Sequence, residues 1–421
     1  MKKKDKLKII VFMFLLYFLF IIFYAVLQSN SINLFYTLGK LSGLIGFLCL
    51  SFLIFSGDTA RFFDRFFGID KIIKFQRRFS LITCFFVLFH PIFFMLSSKN
   101  ILNYIFPDFT FIVLAFGIIS FYIFIIIMIS SLIYKRISYK SWQYIHVLIY
   151  ILFFFSFYHA INGSDFSYLK FFYIILFILV IIGIIYRTIY KIKTKPEFKV
   201  KKVIKETKDI FTLVLFSNKK FNFIPGQFCF LRLNKDKLYA RHPFSIVSSP
   251  QEKNLSFTIK LKGRFTQELL KLKEEEEVIL DGPFGIFTIQ ESNKDIVFIA
   301  GGIGITPFMS IIRNQVLTQK KQKITLFYCV KTRDDLIFKE ELNNIKVDWL
   351  KVIYIFSEDS NYPGSCEFGY PSKEIIKKYL WNVENSLFYI CGPEPMKKSC
   401  KKFISNLNVK KKNIIVEDFF W

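Results

Sequence analysis

The sequence predicts a multi-domain membrane protein in which a six-helix transmembrane bundle precedes an antiparallel β-barrel and an α/β Rossmann-like domain. Residues 1–190 consist mainly of Phe, Ile, Leu and Tyr, whereas residues 191–421 alternate charged and apolar residues as water-soluble proteins do. Short strand-like segments follow the apolar half, and a buried strand with a glycine-rich turn comes after them. We therefore expect three domains, at 1–190, 196–290 and 294–421.

Six stretches are long enough to cross a bilayer core of about 30 Å, which needs roughly 20 helical residues. We place them near 9–27, 38–55, 79–96, 109–134, 144–161 and 169–189. We expect no Asp, Glu, Lys or Arg in the interior of these spans. That expectation argues against the alternative of an ion transporter with a fused nucleotide-binding regulatory domain, because such a pathway needs charges within the membrane.

The distribution of basic residues between the spans predicts the orientation. Lysines and arginines cluster in the segments 2–8, 61–78, 135–140 and 187–195. The other side has only Lys40, Lys99 and Lys170. Because the more basic side is cytoplasmic, we expect a multi-pass protein of the cell membrane with both termini in the cytoplasm. The soluble half then faces the cytosol.

The net charge of +26 does not indicate a nucleic-acid partner, because much of it is this orienting lysine and arginine and the rest is spread along the chain. The lipid bilayer is the expected partner. Seven cysteines contain no CxxC pair, so we expect neither a disulfide framework nor a zinc or iron–sulfur site.

Three histidines, His90, His146 and His159, lie inside apolar spans. At a rise of about 1.5 Å per residue, His90 and His159 reach about the same depth in the outer leaflet, on the third and fifth spans. Two imidazoles at one depth can bind the iron of a b-type haem from both faces. The alternative is that these histidines only form hydrogen bonds between helices.

His146 predicts a second haem less clearly. Its counterpart at the same depth on the third span is Gln76 or Arg77, and neither is a normal haem ligand. A step of 13 residues also turns His146 about 140° away from His159. We therefore expect one haem, with two as the alternative.

The soluble half begins with segments that are typical of strands, separated by turns such as Pro225-Gly226. They are Phe198–Ile204, Ile210–Phe216, Phe228–Leu233, Leu255–Leu261 and Val278–Asp281. Short strands of this kind predict a small antiparallel barrel. The apolar strand 295–300 then leads into Gly301-Gly302-Ile303-Gly304-Ile305-Thr306-Pro307 and a helix. This order is typical of a loop that binds a pyrophosphate at a helix N-terminus.

These motifs, in this order, resemble those of the ferric reductase and NADPH oxidase superfamily, from the second span to the end of the chain. The resemblance implies that Arg241-His242-Pro243-Phe244-Ser245 binds the isoalloxazine side of FAD. It also implies that Gly263-Arg264-Phe265-Thr266 binds the FAD pyrophosphate. The cofactor-binding residues are expected to be Arg241, His242, Pro243, Phe244, Ser245, Gly263, Phe265 and Thr266.

The resemblance assigns the nicotinamide nucleotide to a second group of residues. Gly301, Gly302, Gly304, Thr306 and Pro307 resemble the nucleotide loop, and Cys391-Gly392-Pro393 resembles the signature beside the nicotinamide. The terminal segment 417–421 resembles the aromatic tail that covers the flavin. Cys391 and Phe419 are the expected catalytic residues.

Lys331 and Arg333 follow the strand 324–330, where the adenosine ribose would lie, so we expect NADPH rather than NADH. Asp334 and Asp335 weaken that preference. The third span has one histidine, whereas the oxidases of the superfamily have two. This difference leaves both the number of haems and the formation of superoxide open.

The resemblance implies an NAD(P)H-dependent oxidoreductase that passes electrons from the cytosol through FAD and haem to a small-molecule acceptor outside the cytoplasm. Ferric iron and dioxygen are the expected acceptors, with a quinone or a protein partner as alternatives. The alternative function is a membrane-anchored NAD(P)H:flavin reductase that feeds a partner protein or quinone without a haem of its own.

Overall fold

The structure is a computed structural model. It describes residues 33–134, 136–164, 167–193, 198–233, 242–290, 292–319, 322–359 and 366–417. The chain divides into two compact units, one up to Lys193 and one from Thr194 onward. The division coincides with the change in composition from apolar to mixed sequence.

The first unit is helical. Its helices are α1 (Leu34–Asp58), α2 (Ala60–Phe67), α3 (Ile69–Ser97), α4 (Ile112–Leu132), α5 (Tyr139–Val147), α6 (Ile149–Asn162) and α7 (Ser167–Lys193). Polar side chains begin two of them. The Asn33 side chain accepts a hydrogen bond from the Phe35 amide at 3.0 Å, and Ser138 accepts one from the Ser141 amide at 3.0 Å.

Five helical segments of the described residues are long and apolar enough to cross a membrane. They are Leu34–Asp58, Ile69–Ser97, Phe109–Leu132, Ser141–Asn162 and Ser167–Tyr190. Each contains or overlaps one of the spans predicted from the sequence. The first predicted span, 9–27, lies outside the described residues, so the six-helix bundle stays a prediction.

The interiors of the predicted spans hold no charged residue, but a charged pair lies at the ends of two helices. Asp58 ends α1 with 4% of its side chain exposed, and its Oδ1 lies 2.9 Å from Nη1 of Arg187 on α7. Tyr150 on α6 donates its hydroxyl hydrogen to the same carboxylate oxygen at 2.8 Å, and Arg187 is also hydrogen-bonded to Tyr150. Arg187 lies in the last turn of the predicted span 169–189, and Asp58 lies three residues beyond the predicted span 38–55.

This cluster joins three helices at one end of the bundle. An ion pair in an apolar environment keeps its charges only when the two charged groups lie in contact. Gly183 on α7 lies against Asp58, because a Cβ there would be in van der Waals contact with the Cβ of Asp58 at 3.4 Å. The cluster therefore fixes the positions of α1, α6 and α7 relative to one another.

The second unit starts with an antiparallel sheet of six strands in the order β4-β3-β6-β1-β2-β5. The strands are β1 (Phe198–Lys205), β2 (Ile210–Phe216), β3 (Phe228–Leu233), β4 (His242–Ser245), β5 (Leu255–Lys260) and β6 (Glu277–Phe284). The five strands predicted from sequence are confirmed, and β4 was missed. Closure of this sheet into a barrel stays a prediction.

A parallel sheet follows, in the order β10-β9-β8-β7-β11-β12. Its strands are β7 (Ile296–Gly301), β8 (Ile324–Val330), β9 (Leu350–Phe356), β10 (Cys366–Phe368), β11 (Leu387–Cys391) and β12 (Ile414–Val416). The helices around it are α9 (Thr306–Leu317), α10 (Lys339–Asn344), α11 (Lys373–Tyr379) and α12 (Glu394–Ser405), whereas α8 (Arg264–Leu270) belongs to the first sheet. Strand order reverses between β7 and β11, where open α/β sheets bind their ligands.

The two sheets share a packed interface on α9. The Ser310 hydroxyl donates to the Ser248 carbonyl at 2.7 Å, and Arg313 donates to the Val247 carbonyl at 3.3 Å. Val247 and Phe287 belong to the same buried cluster as the α9 residue Phe308. The interface therefore holds the edge of the antiparallel sheet next to the carboxyl ends of the parallel strands.

The ion pair at the end of the bundle predicts an asymmetry between two substitutions. Arg187→Met should lower the stability of the full chain in detergent by about 3 kcal/mol, because it leaves the buried Asp58 carboxylate without a cation. Asp58→Asn should cost less, since Arg187 is 37% exposed and can reach water. Thermal unfolding of both variants and of the double variant provides the measurement. Strictly additive losses in the double variant would contradict the coupling.

Candidate functional site

His90 on α3 and His159 on α6 face each other. Their ring centroids lie 6.1 Å apart, with the ring planes at 75°. Two imidazoles that bind one ion through Nε2 from opposite sides would have centroids about 6 Å apart, given metal–nitrogen bonds of roughly 2 Å. The matched depth predicted from sequence is confirmed by this separation.

Each of the two rings is held by a backbone carbonyl of a neighbouring helix. Nδ1 of His90 lies 2.9 Å from the Gly39 carbonyl oxygen on α1, and Nδ1 of His159 lies 2.8 Å from the Val113 carbonyl oxygen on α4. A carbonyl oxygen only accepts, so Nδ1 must be the protonated nitrogen of each ring. Nε2 of each neutral ring then keeps its lone pair, which is the arrangement of a metal-binding histidine.

Glycine makes room for both rings. A Cβ at Gly43 would lie 2.6 Å from Nδ1 of His90, and a Cβ at Gly117 would lie 2.7 Å from Nδ1 of His159. In both cases the glycine comes four residues after the carbonyl that holds the ring. The same device therefore occurs twice, once between α1 and α3 and once between α4 and α6.

Sequence reasoning missed these glycines. The available signal was the pattern Gly39-Lys-Leu-Ser-Gly43 in an apolar segment, because small residues four apart indicate close contact between membrane helices. Gly117 has no such partner four residues away. Its role follows only from the contact with His159.

His146 lies in a different environment. Its ring stacks on Trp142 at 4.8 Å, with 21° between the planes. Its Nδ1 is buried and accepts or donates no hydrogen bond among the described residues. The chain contains four histidines in all, and the fourth, His242, belongs to the second unit. No other histidine of the described helices is therefore left to face His146.

The first predicted cofactor motif lies on β4, at the edge of the antiparallel sheet. Ser245 is buried and pairs with Phe228 of β3, and Pro243 pairs with Phe230. The ring of His242 stacks on Phe265 at 4.3 Å, and burial lowers the pKa of this imidazole. His242 is therefore neutral at neutral pH. Arg241 lies outside the described residues.

The second predicted motif is next to the first. Phe244 stacks on Phe265 at 6.3 Å, so Phe265 contacts two rings of the first motif. The Thr266 hydroxyl oxygen accepts hydrogen bonds from the Lys262 and Gly263 amides at 3.0 and 3.2 Å and fixes the turn that begins α8. A Cβ at Gly263 would meet nothing within 4 Å, so open space lies beside this turn.

The glycine loop and the cysteine loop are in direct contact. Cys391 ends β11 and pairs with Ala300 of β7, immediately before the glycine loop. A Cβ at Gly304 would run into the Cys391 carbonyl oxygen, and one at Gly301 would lie 2.7 Å from Sδ of Met396. A Cβ at Gly392 would lie 2.5 Å from Cε of Met396. The glycines are therefore needed for packing between the two loops.

The rest of the glycine loop has the predicted geometry. Gly302 has φ +53° in open space, and a short 3₁₀ turn, Gly302–Ile305, leads into α9. The Thr306 hydroxyl donates to the Ile303 carbonyl at 3.0 Å, and Pro307 stands in the first turn of α9. Pro at that position costs no hydrogen bond because its amide would have no partner in the helix. The predicted order of strand, glycine turn and helix is confirmed.

The remaining predicted residues differ in their surroundings. Pro393 begins α12. Lys331 and Arg333 each form an ion pair, with Glu358 and Asp359 respectively. Phe419 lies outside the described residues. The preceding Glu417 is held by its amide on the Ile390 carbonyl at 2.9 Å and by its carbonyl on the buried Lys397 ammonium at 3.1 Å.

Three family models match this chain. A ferric reductase-like transmembrane component matches residues 42–157, an FAD-binding domain matches residues 195–327, and an oxidoreductase NAD-binding domain matches residues 298–402. The first match covers α3 and α6 up to residue 157. The other two cover the antiparallel sheet, the glycine loop and the cysteine loop.

Two curated relatives resemble parts of the chain. A flavodoxin/ferredoxin–NADP reductase of Buchnera aphidicola subsp. Baizongia pistaciae is 33% identical over 205 residues, which are 45% of this chain and 82% of that protein. One component of the Na⁺-translocating NADH-quinone reductase of Serratia proteamaculans is 28% identical over 166 residues, which are 37% of this chain. The match spans 40% of the length of that component.

Solved structures resemble about half of the chain. The FAD/NAD-binding domain of nitric oxide dioxygenase from Vibrio cholerae is 19% identical with a TM-score of 0.49, over 54% of this chain and 99% of that one. A ferredoxin–NADP⁺ reductase from Neisseria gonorrhoeae is 21% identical with a TM-score of 0.48, over 54% of this chain and 100% of that one.

The contact between the two loops predicts the effect of a single methyl group. Gly304→Ala should destabilise the nucleotide-free full chain by about 1–3 kcal/mol, because its Cβ overlaps the Cys391 carbonyl. Gly302→Asn is the matched control in the same loop. Its open space and a positive φ that Asn tolerates limit the loss to under about 1 kcal/mol. Thermal unfolding in detergent provides the measurement, and equal losses for the two variants would contradict the packing role.

Proposed function

Because this chain belongs to the ferric reductase and NADPH oxidase superfamily, we propose that it passes electrons from NAD(P)H through FAD and one b-type haem to an acceptor across the membrane. The chain is an NAD(P)H-dependent oxidoreductase with FAD- and NAD-binding domains behind a multi-pass membrane domain. The proposal adds the haem, the acceptor and the roles of individual residues. The paired geometry of His90 and His159 carries it.

His90 and His159 fit a haem ligand pair by their chemistry. Each ring donates from Nδ1 to a carbonyl and keeps Nε2 for the iron. The helices around them supply apolar side chains, which suit a buried macrocycle. A b-type haem held there would supply single-electron transfer near the outer surface.

The number and positions of the histidines in the chain support one haem rather than two. A second bis-histidine site would need a partner for His146, and the chain's fourth histidine, His242, belongs to the other unit. His146 instead stacks on Trp142, near the end of the bundle that holds the Asp58–Arg187 pair. We assign no second haem to this position.

The second unit supplies the residues for the two nucleotides. We assign Arg241, His242, Pro243, Phe244 and Ser245 to the flavin side of FAD, and Gly263, Phe265 and Thr266 to its pyrophosphate. Gly301, Gly302, Gly304, Thr306 and Pro307 present backbone amides at the start of α9, where a nucleotide pyrophosphate is favoured. Gly392 and Pro393 hold Cys391 beside that loop, where it orients the nicotinamide. Phe419 is assigned to cover the flavin ring.

Bound FAD supplies the conversion from a two-electron hydride donor to single electrons, which haem iron requires. The buried Ser245 and the stacked pair of His242 and Phe265 would keep water away from one side of the flavin. The neutral state of His242 adds no charge to that environment. These residues therefore bind and orient rather than transfer protons.

The orientation follows from the basic segments 61–78 and 187–195. We propose that they face the cytoplasm together with both termini and the second unit. His90 and His159 would then hold the haem on the side away from the cytoplasm, where a small molecule could accept its electrons, with ferric iron and dioxygen as the candidates. We also propose the domain limits 1–190, 196–290 and 294–421.

One observation favours a second candidate function. The similarity to a component of an NADH-quinone reductase supports a membrane-anchored flavin reductase that feeds a quinone or a partner protein without a haem. An optical spectrum distinguishes the haem-containing protein from the haem-free flavin reductase. Purified full-length protein should show b-type absorption bands that respond to NAD(P)H, and their absence would leave the anchored reductase.

The proposed haem site predicts different effects for substitutions of the three membrane histidines. His90→Ala and His159→Ala should each abolish haem reduction while NAD(P)H-dependent reduction of ferricyanide continues, because the dye takes electrons from the soluble unit. His146→Ala is the matched variant on the same span as His159 and should keep the haem content per chain. Haem content is measured by the pyridine haemochrome spectrum. A loss of haem in His146→Ala would contradict a single bis-histidine site.

The proposed haem site also predicts the effect of substituting Gly43 and Gly117, which contact the histidine rings. Gly43→Ala and Gly117→Ala should lower haem content at least about tenfold, because each new Cβ lies within 3 Å of a histidine ring. Gly57→Ala on α1 is the control, since its Cβ would lie 3.5 Å from the flexible end of Gln76. Full haem content in both ring variants would show that the glycines do not position the ligands.

A further inference from the structure

The carboxyl ends of β7, β8 and β9 lie side by side in the parallel sheet. Gly301 of β7 pairs with Cys329 of β8, and Val330 of β8 pairs with Phe356 of β9. Two further hydrogen bonds extend the second pairing, from the Ser357 amide to Val330 at 3.1 Å and from the Glu358 amide to Lys331 at 2.9 Å. The residues that follow β8 and β9 therefore stand next to the strand that leads into the glycine loop.

Two ion pairs connect these strand ends. Nζ of Lys331 lies 2.8 Å from Oε1 of Glu358, and both side chains are more than half exposed. Arg333 binds Asp359 with two bonds, Nε to Oδ2 at 2.8 Å and Nη2 to Oδ1 at 3.2 Å. The Asp359 side chain is only 17% exposed.

The two pairs differ in strength. An exposed lysine–carboxylate pair contributes little and opens readily to a competing anion. A two-pronged arginine–carboxylate pair is stronger and fixes the plane of the guanidinium. Moving Arg333 away would also break two hydrogen bonds to a mostly buried carboxylate, which is costly. Arg333 is therefore poorly available to bind a phosphate group.

Of the two acids that follow β8, Asp334 and Asp335, the second serves the local turn. Oδ2 of Asp335 accepts hydrogen bonds from the Thr332 amide and hydroxyl, both at 3.0 Å. These bonds close the turn Arg333–Asp335. The position of Arg333 is thus set from two sides, by the turn that carries it and by Asp359.

We propose that Asp359 determines the nucleotide preference of this site by holding Arg333, so that an adenosine ribose with a free 2′-hydroxyl is accepted and a 2′-phosphate is disfavoured. The inference rests on the proposed function, because it specifies which nicotinamide nucleotide that site takes. The chain then prefers NADH. This reverses the NADPH preference expected from Lys331 and Arg333 alone, because sequence order does not show their acidic partners. Glu358 adds a smaller effect through Lys331.

The test uses the full-length protein in detergent with FAD bound. Steady-state kcat/KM for ferricyanide reduction is measured with NADH and with NADPH. The wild type should favour NADH. Asp359→Asn should raise the NADPH/NADH ratio of kcat/KM about tenfold or more, mainly through a lower KM for NADPH, because the guanidinium no longer binds a carboxylate at position 359 and can bind the 2′-phosphate.

Two further variants separate specificity from structure. In Asp359→Asn/Arg333→Gln the gain should disappear, because the phosphate-binding cation is gone. Glu367→Gln, on the neighbouring strand β10, is the matched control. The Glu367 carboxylate is 16% exposed and pairs with Lys378 of α11 at 2.7 Å. This control should leave the ratio unchanged.

The outcomes distinguish the inference from the function on which it rests. An unchanged ratio in Asp359→Asn, or a wild type that favours NADPH, would overturn the inference and leave the oxidoreductase function intact. A gain that survives in the double variant would also overturn it. If neither NADH nor NADPH supports dye reduction, the proposed function and this inference are both overturned.

Discussion

Two hydrogen bonds from imidazole to backbone carbonyl decide what the membrane unit can do. The Gly39 and Val113 carbonyls hold Nδ1 of His90 and His159 and so fix both the tautomer and the ring orientation. Without them each imidazole could present either nitrogen. The six-ångström arrangement of the rings then depends on the helices that carry the carbonyls, and on the glycines that let those helices approach.

The two ends of the bundle use polar groups in different ways. Toward one end, neutral imidazoles leave a lone pair for a ligand. At the other, Oδ1 of Asp58 contacts both Tyr150 and Arg187, and these contacts join three helices. A paired charge stabilises a position, whereas two facing imidazole nitrogens offer a binding site. This contrast is why we assign ligand binding to His90 and His159, and a structural role to the ion pair.

Much of the fold could be predicted from local pattern. The apolar spans, the strands from Phe198 to Asp281 and the glycine turn after β7 all follow from periodicity and turn chemistry within short segments. The common depth of His90 and His159 followed from counting helical rise. Short-range regularities of this kind are contained in the sequence order itself.

What sequence could not predict are contacts between distant residues. Gly117 and His159, Asp58 and Arg187, and Arg333 and Asp359 each meet only through the folded chain. β4 was missed because it has only 4 residues and contains Pro243, and proline argues against a strand in a sequence pattern. The motif residues were therefore recognisable, but the groups that orient or neutralise them were not.

The contact of Gly301, Gly304 and Gly392 has a mechanical consequence. Where backbone meets backbone with no side chain between them, neither loop can shift without displacing the other, since a packed interior deforms little. A force applied to the amides at the start of α9 is then transmitted to Cys391 over a single atomic layer. The two loops therefore move as one rigid unit, so any conformational change on ligand binding must occur in the segments that flank them.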